Sequence, residues 1–187
     1  DPLVGRPENE MTGVTFTRGG YARMPNSPRG SGGYTVHRPD HWAFDSTGLN
    51  AGDVLGADGK VVAYECDGCE LELRDGLPVP TGNDGTPTNF EILGSAPAHL
   101  WLTEEAPTDT LGDDFIGELN WVAERIGGAD TTENRQRYTN GHAVLGTFHR
   151  GRGEVFTTGC TDWAYGLGSN DVATVTRNVM TRFIRGK

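Results

Sequence analysis

Apolar and polar residues alternate in short runs along the first half of the chain. Gly13-Val14-Thr15-Phe16-Thr17 alternates as a half-buried strand does. Residues 61–66, 69–73, 90–93 and 99–102 read as further short strands. Asp67-Gly68 sits between the first two of these. Asp-Gly readily adopts the positive φ angles of a tight turn, so the pattern predicts a hairpin with its tip there. Ala57-Asp58-Gly59-Lys60 reads as a turn, while residues 76–80 and 82–87 hold too much Pro and Gly for regular structure.

Further on the period lengthens. Phe115, Leu119, Val122 and Ile126 fall on one stripe of a helix over 113–126, with Asp113 placed to cap it and Gly127 to end it. Residues 142–149 and 153–159 predict an antiparallel pair around Arg150-Gly151-Arg152-Gly153. Over 171–184 a last helix puts Val172, Val175, Val179, Met180 and Phe183 on one face. Asn170 or Asp171 is its cap, and Arg182 and Arg185 lie where the helix dipole favours cations. The result is an α+β chain, β-rich with two main helices. It divides into a polar arm or linker (1–12), a β-rich region (13–110), and a helix, β-hairpin and C-terminal helix (111–187) that would complete an α/β sheet. Within it, residues 18–40 are rich in Gly, Pro, Ser and Arg and read as a long loop.

Composition narrows the function. The 187 residues suffice for one core, and 28 glycines with 35% hydrophobic residues fit many turns and short strands. Sixteen basic against 26 acidic residues give a formal charge of −10, which argues against a nucleic-acid partner. No apolar run approaches the roughly 18 residues of a membrane span, and no signal peptide is visible. A soluble protein is expected, with the cytoplasm as default compartment and homo-oligomerisation left open. The chain begins Asp1-Pro2-Leu3 without Met, so the expectation is a processed, engineered or cut product of something longer.

Several residue groups carry candidate chemistry. Cys66-Asp67-Gly68-Cys69 is a CxxC, and on a hairpin tip Cys66 and Cys69 would face each other as a thiol pair. With Cys160 they could offer three thiolates to zinc, although the second paired motif of a structural zinc site is absent. Plain thiols are the default. Tyr64, Glu65, Asp67, Glu70 and Glu72 make the hairpin acidic. Glu70 and Glu72 would share a strand face, suited to acid–base work, to a cation, or simply to solvent. His37, His41, His99, His142 and His149 form no metal motif and read as surface or turn residues. No Gly-x-Ser-x-Gly elbow or phosphate loop occurs, and Cys160 has no partner His placed by the sequence to make it a nucleophile. Asp162, Trp163 and Tyr165 follow the strand that ends near Gly159. Ligands gather beyond strand ends, so these three are candidates for a pocket wall; otherwise the two rings anchor the loop to the core.

The stretch Gly141-His142-Ala143-Val144-Leu145-Gly146, the block from Arg150 to Leu167 containing Thr157-Thr158-Gly159-Cys160-Thr161-Asp162-Trp163-Ala164-Tyr165-Gly166, and Val175-Thr176-Arg177-Asn178-Val179 are the most specific motifs. With Trp42-Ala43-Phe44, Thr47-Gly48-Leu49, Tyr64-Glu65-Cys66-Asp67-Gly68 and Gly82-Asn83-Asp84-Gly85-Thr86-Pro87, they resemble the C-terminal region of the N,N-dimethylformamidase large (beta) subunit family. The resemblance runs from about residue 13 to the end. It implies a domain similar to class I glutamine amidotransferases and hydrolysis of an amide with mononuclear iron. In the family that iron is held by tyrosines and a glutamate near a His-x-Glu, upstream of the region matched here. This chain has no His-x-Glu, so no metal ligand or catalytic residue is carried over, and iron is expected only in the full-length protein.

The expected role is therefore a C-terminal segment of an amide (C–N) hydrolase, partnered with an upstream fragment of the same precursor. It would complete the fold and line the pocket with Asp162, Trp163 and Tyr165, and with Glu65 and Asp67 behind them. Two alternatives differ in class: a non-catalytic β-rich module binding carbohydrate or another ligand, and a small thiol or zinc protein built on Cys66, Cys69 and Cys160.

Overall fold

The longest alternating runs of the sequence form the centre of a five-stranded antiparallel sheet. The computed structural model describes residues 5, 7–22, 32–102 and 117–186. In chain order these give α1 (Asn9–Thr12), β1 (Thr15–Tyr21), β2 (Tyr34–Val36), a 3-10 turn (Trp42–Phe44), β3 (Val54–Leu55), β4 (Glu65–Gly68), β5 (Leu71–Arg74), β6 (Leu77–Pro80) and β7 (Glu91–Ala98). There follow α2 (Glu118–Arg125), α3 (Thr132–Thr139), β8 (Gly141–Arg150), β9 (Gly153–Thr157), a 3-10 segment (Trp163–Gly168) and α4 (Asn170–Arg185). The sheet order is β3-β2-β7-β8-β9, with two separate ribbons, β1-β4 and β5-β6. Among the described residues every pairing is antiparallel, and their architecture is α+β. Among them, too, no helix is long and apolar enough to cross a membrane.

The sheet is buried on both faces. On one side Leu93, Ala96, Ala143 and Leu145 meet Tyr34, Leu55, Val61, Phe44 and, from α4, Val172 and Val175. On the other, Ile92, Val144 and Phe148 meet Val14, Cys69 and Phe90. A third cluster joins α2 and α3 through Leu119, Val122 and Tyr138 to Leu100. Each fully buried Leu or Ile in such a site stabilises by about 1.5–3 kcal/mol.

Two isolated bridges then close the β1-β4 ribbon onto the sheet. Tyr21 pairs with His99, just past β7, and Cys66 pairs with Cys160, just past β9. The ribbon comes down backbone to backbone on the start of β8, and glycines make this approach feasible. A Cβ at Gly68 would lie 2.1 Å from the His142 carbonyl oxygen, and one at Gly141 2.0 Å from that of Gly19.

That contact explains why the expected hairpin is elsewhere. Gly68 sits in extended strand β4 against β1, so Asp67-Gly68 is no turn. The Asp-Gly turn is Asp75-Gly76, whose φ angles of 53° and 78° join β5 to β6. Residues 77–80 are thus a strand despite Pro78 and Pro80. A two-stranded ribbon needs hydrogen bonds along one edge only, so the missing N–H groups are tolerated. Residues 99–102 contribute only the His99 bridge, and the loop expected over 18–40 yields its ends to β1 and β2. The paired strands 142–149 and 153–159 are found as β8 and β9.

The helices also differ in detail. Leu119 and Val122 are buried on α2 as expected, while Asp113 and Phe115 lie outside the described residues. α3 is an addition; Tyr138 is its only buried residue, so its sequence shows no apolar stripe. α4 uses Val172 and Val175 fully and Val179 partly, but Met180 and Phe183 are 55% and 44% exposed, because the C-terminal half extends past the core. Its cap is also different. Ser169 holds the N-cap position, and the Asp171 carboxylate accepts from Gly56 N (2.8 Å) and Val172 N (2.8 Å).

The Arg18 guanidinium pairs with Glu70, donates to Arg137 O at 3.1 Å and stacks on the Tyr138 ring at 4.4 Å. Burial pushes the Glu70 carboxyl up, but the Asn83 amide and Arg18 outweigh it and hold it below its ordinary range. Removing one partner of a largely buried pair strands the other charge.

Two outcomes follow for urea unfolding. Gly68→Ala should destabilise by about 3 kcal/mol through backbone overlap, whereas Gly151→Ala, at an open turn with φ of 61°, should cost about 1 kcal/mol from strain alone. Glu70→Leu should cost about 2–3 kcal/mol at pH 7, with much of this recovered in Arg18→Met/Glu70→Leu. Because the Glu70 pKa is lowered on folding, its contribution exists above the ordinary glutamate range and is lost as pH falls through the folded value, so the two proteins should converge in acid.

Candidate functional site

β4 alternates its side chains. Cys66 and Gly68 face inward and are buried, while Glu65 and Asp67 face the other way and are half-buried. The segment after β9 runs antiparallel beside them, held by Asp67 N to Gly159 O (3.0 Å) and Thr161 N to Glu65 O (3.2 Å). Gly159 makes this fit possible. Its φ is 60°, and a Cβ there would lie 2.1 Å from Val144 O. Beside this pair of segments lies a cleft of about 300 Å3 lined by Phe16, Glu65, Asp67, Thr157, Thr158, Gly159, Cys160 and Thr161.

The cleft is acidic. Burial, then the charges of Glu8 and Glu65, push the Asp67 carboxyl up, so it keeps a proton more readily than a surface aspartate. Beneath it, the fully buried Tyr34 donates its hydroxyl to Thr158 O. Chemically the arrangement offers a carboxyl poised for proton transfer, a second carboxylate, hydroxyls for hydrogen bonding and one aromatic wall.

The sequence candidates separate here. Glu65 and Asp67 line the cleft. Asp162 follows it directly, with Thr161 Oγ1 3.4 Å from its carboxylate. Trp163 is an anchor: its indole donates to Thr176 Oγ1 at 3.1 Å and its ring lies 6.5 Å from that of Tyr34. Tyr165 is 78% exposed and is not among the residues lining the cleft. Phe16, Thr157 and Thr158 were not singled out by sequence. They looked like ordinary strand residues, and only the ribbon's docking brings Phe16 to the strand beyond β9.

Cys66 and Cys69 do not face each other, because no turn lies between them; Cys66 packs in the main core and Cys69 in the cluster on the opposite side. Glu70 and Glu72 are engaged separately: Glu70 with Arg18, Thr81 and Asn83, and Glu72 with Arg74 at 2.6 Å. The histidines hold local structure. His37 Nε2 lies 2.8 Å from Ser95 Oγ, His41 Nδ1 accepts from Ala43 N at 3.2 Å, and His149 stands 3.8 Å from Glu154. Among the described residues no three His, Cys, Asp or Glu side chains are grouped to hold a metal ion. A second cavity, about 310 Å3, is lined by Asn9, Arg18, Asp84, Arg137 and Tyr138 among others. Its Arg18 is paired with Glu70, and its Asp84 accepts from Asn9 Nδ2 (3.2 Å) and Glu70 N (2.6 Å).

Fold and cleft thus define an α+β chain of antiparallel sheets with an acidic, hydroxyl-lined cleft where a ribbon closes onto the main sheet. The chain belongs to the N,N-dimethylformamidase beta subunit-like, C-terminal family, whose family model matches residues 1–176. No curated protein matches it.

A site carboxyl whose pKa is raised on folding works against stability once it is ionised. The Asp67 pKa is raised on folding, so its contribution is intact below the ordinary aspartate value and is lost as pH rises through the folded value. Asp67→Asn should therefore raise the urea midpoint at pH 7, and the gain should vanish below about pH 4.

Proposed function

We propose that this chain is the C-terminal segment of a dimethylformamidase-like amide hydrolase, completing the fold and lining its pocket while an upstream segment of the same precursor holds the metal. The observation that carries the proposal is the cleft pairing Glu65 and Asp67 with Thr157–Thr161, in a chain of this family. Asp67 can deliver a proton to the nitrogen of the departing amine, which leaves as a neutral molecule. Glu65 and the threonine hydroxyls orient the amide, and Phe16 covers one side against water. Asp162 stands next to this cleft and belongs to the proposed wall, whereas Trp163 fixes the loop and Tyr165 lies outside it.

The iron that the resemblance implies is proposed for the upstream part; among the described residues no three His, Cys, Asp or Glu side chains are grouped to hold a metal ion. The glutamine amidotransferase-like architecture that the resemblance implies is proposed for the whole domain, of which this segment is the C-terminal part. A carbohydrate- or ligand-binding module draws on the exposed Tyr165 ring, but the tethering of Trp163 removes the second ring of a stacking platform.

The test is amine release from N,N-dimethylformamide by the assembled protein. Asp67→Asn and Glu65→Gln should each lower kcat/KM by about 100-fold, and Tyr165→Ala should leave it unchanged. Wild-type rates in both cleft variants would remove the cleft from the pocket, and no amine release by the unmodified assembly would remove the hydrolase reading.

A further inference from the structure

Cys66 and Cys160 occupy directly opposed positions of an antiparallel bridge. The flanking hydrogen bonds, Asp67 N to Gly159 O at 3.0 Å and Thr161 N to Glu65 O at 3.2 Å, make this a non-hydrogen-bonded pair. Such pairs bring their side chains closest, with Cα atoms about 4.5 Å apart, at the near end of the range a disulfide spans. Both are free thiols, as is Cys69. Their environments differ in a useful way. Cys160 is among the residues lining the cleft and is partly exposed, whereas Cys66 is only 1% exposed.

We propose that Cys66 and Cys160 are an oxidative modification site that takes up a hydroperoxide and closes to a cross-strand disulfide. The Cys160 sulfur attacks the O–O bond of hydrogen peroxide, giving Cys160–SOH and one water. The Cys66 thiol then displaces the hydroxyl, forming the S–S bond and a second water. Two electrons leave the sulfurs and reduce one peroxide. The division of roles follows from the surroundings. Burial pushes both thiols up, Cys66 strongly; at Cys160 the Tyr34 hydroxyl and the peptide N–H groups of Asp162 and Trp163 offset part of this. Cys160 is therefore the attacking sulfur and Cys66 the resolving one. Closure would pin the edge of the cleft at Cys160 to β4 covalently. Cys69, on the far side of the sheet, has no part in this. The inference is independent of the hydrolase reading, since it needs only the pairing across the bridge.

The experiment treats the reduced full chain, at low concentration, with hydrogen peroxide. It then denatures the chain in acid, alkylates the remaining thiols and maps the peptides. The expected product carries a single alkyl group, on Cys69, and a peptide joining Cys66 to Cys160. While the thiolate is the minor form, closure should speed up by about tenfold per pH unit. Cys69→Ser should close at the same rate. Cys66→Ala should leave a sulfenic acid on Cys160 that dimedone captures; if that variant does not fold, Cys160→Ser should leave Cys66 fully alkylated after the same treatment. Three alkylated cysteines after oxidation, a bridge that includes Cys69, or a link between two chains would each overturn the proposal.

Discussion

The structure depends on a contact between backbones. Where β1 and β4 cross the start of β8, Gly19, Gly68 and Gly141 have no side chains to hold the strands apart. A methyl group at any of these positions would overlap a carbonyl oxygen. The approach determines where Asp67 points, how closely the segment after β9 can run beside β4, and therefore whether a cleft exists there. Gly159 extends the same principle to the opposite wall, since its positive φ and lack of a Cβ let Asp67 N reach its carbonyl.

Charge is distributed around that junction with different outcomes. Glu70 has a guanidinium and two further donors, Thr81 and Asn83, which hold its carboxyl below its ordinary range. Asp67, three residues earlier, is half-buried beside other acids and is driven the opposite way. Two carboxyls on one short stretch thus acquire opposite proton affinities from their neighbours alone. This is how a scaffold separates a structural acid from a chemically available one. The formal charge of −10 conveys none of this distinction.

Much of the secondary structure was legible because it rests on periodicity. The β8-β9 pair, the buried stripe of α2 and the first two turns of α4 all follow from residue spacing. The hairpin was misplaced for a physical reason. Asp67-Gly68 and Asp75-Gly76 carry the same dipeptide, and only long-range packing shows that Gly68 is needed for a close approach and Gly76 for a turn. α3 escaped because it buries a single ring. For the cleft, Glu65 and Asp67 were legible as acids on a strand, and the loop after Gly159 as a neighbourhood. Which side chains of that loop face inward was not, because Trp163 is turned into the core by a hydrogen bond to Thr176 on a different element.

The two bridges that close the ribbon also bear on how the chain reaches its native state. Tyr21 must find His99, and Thr161 must find Glu65 across a separation of 96 residues. Tyr34, in β2, reaches Thr158 across 124. Loop-closure entropy has to be overcome before such pairings return any stabilisation, which places this topology among the slower folders. The site-forming edge of β4 is completed by a segment that lies 96 residues further along the chain. Until that segment arrives, the β4 edge at Glu65 and Asp67 remains open to pairing with other strands, so the future cleft is also an edge at which the incomplete chain can aggregate.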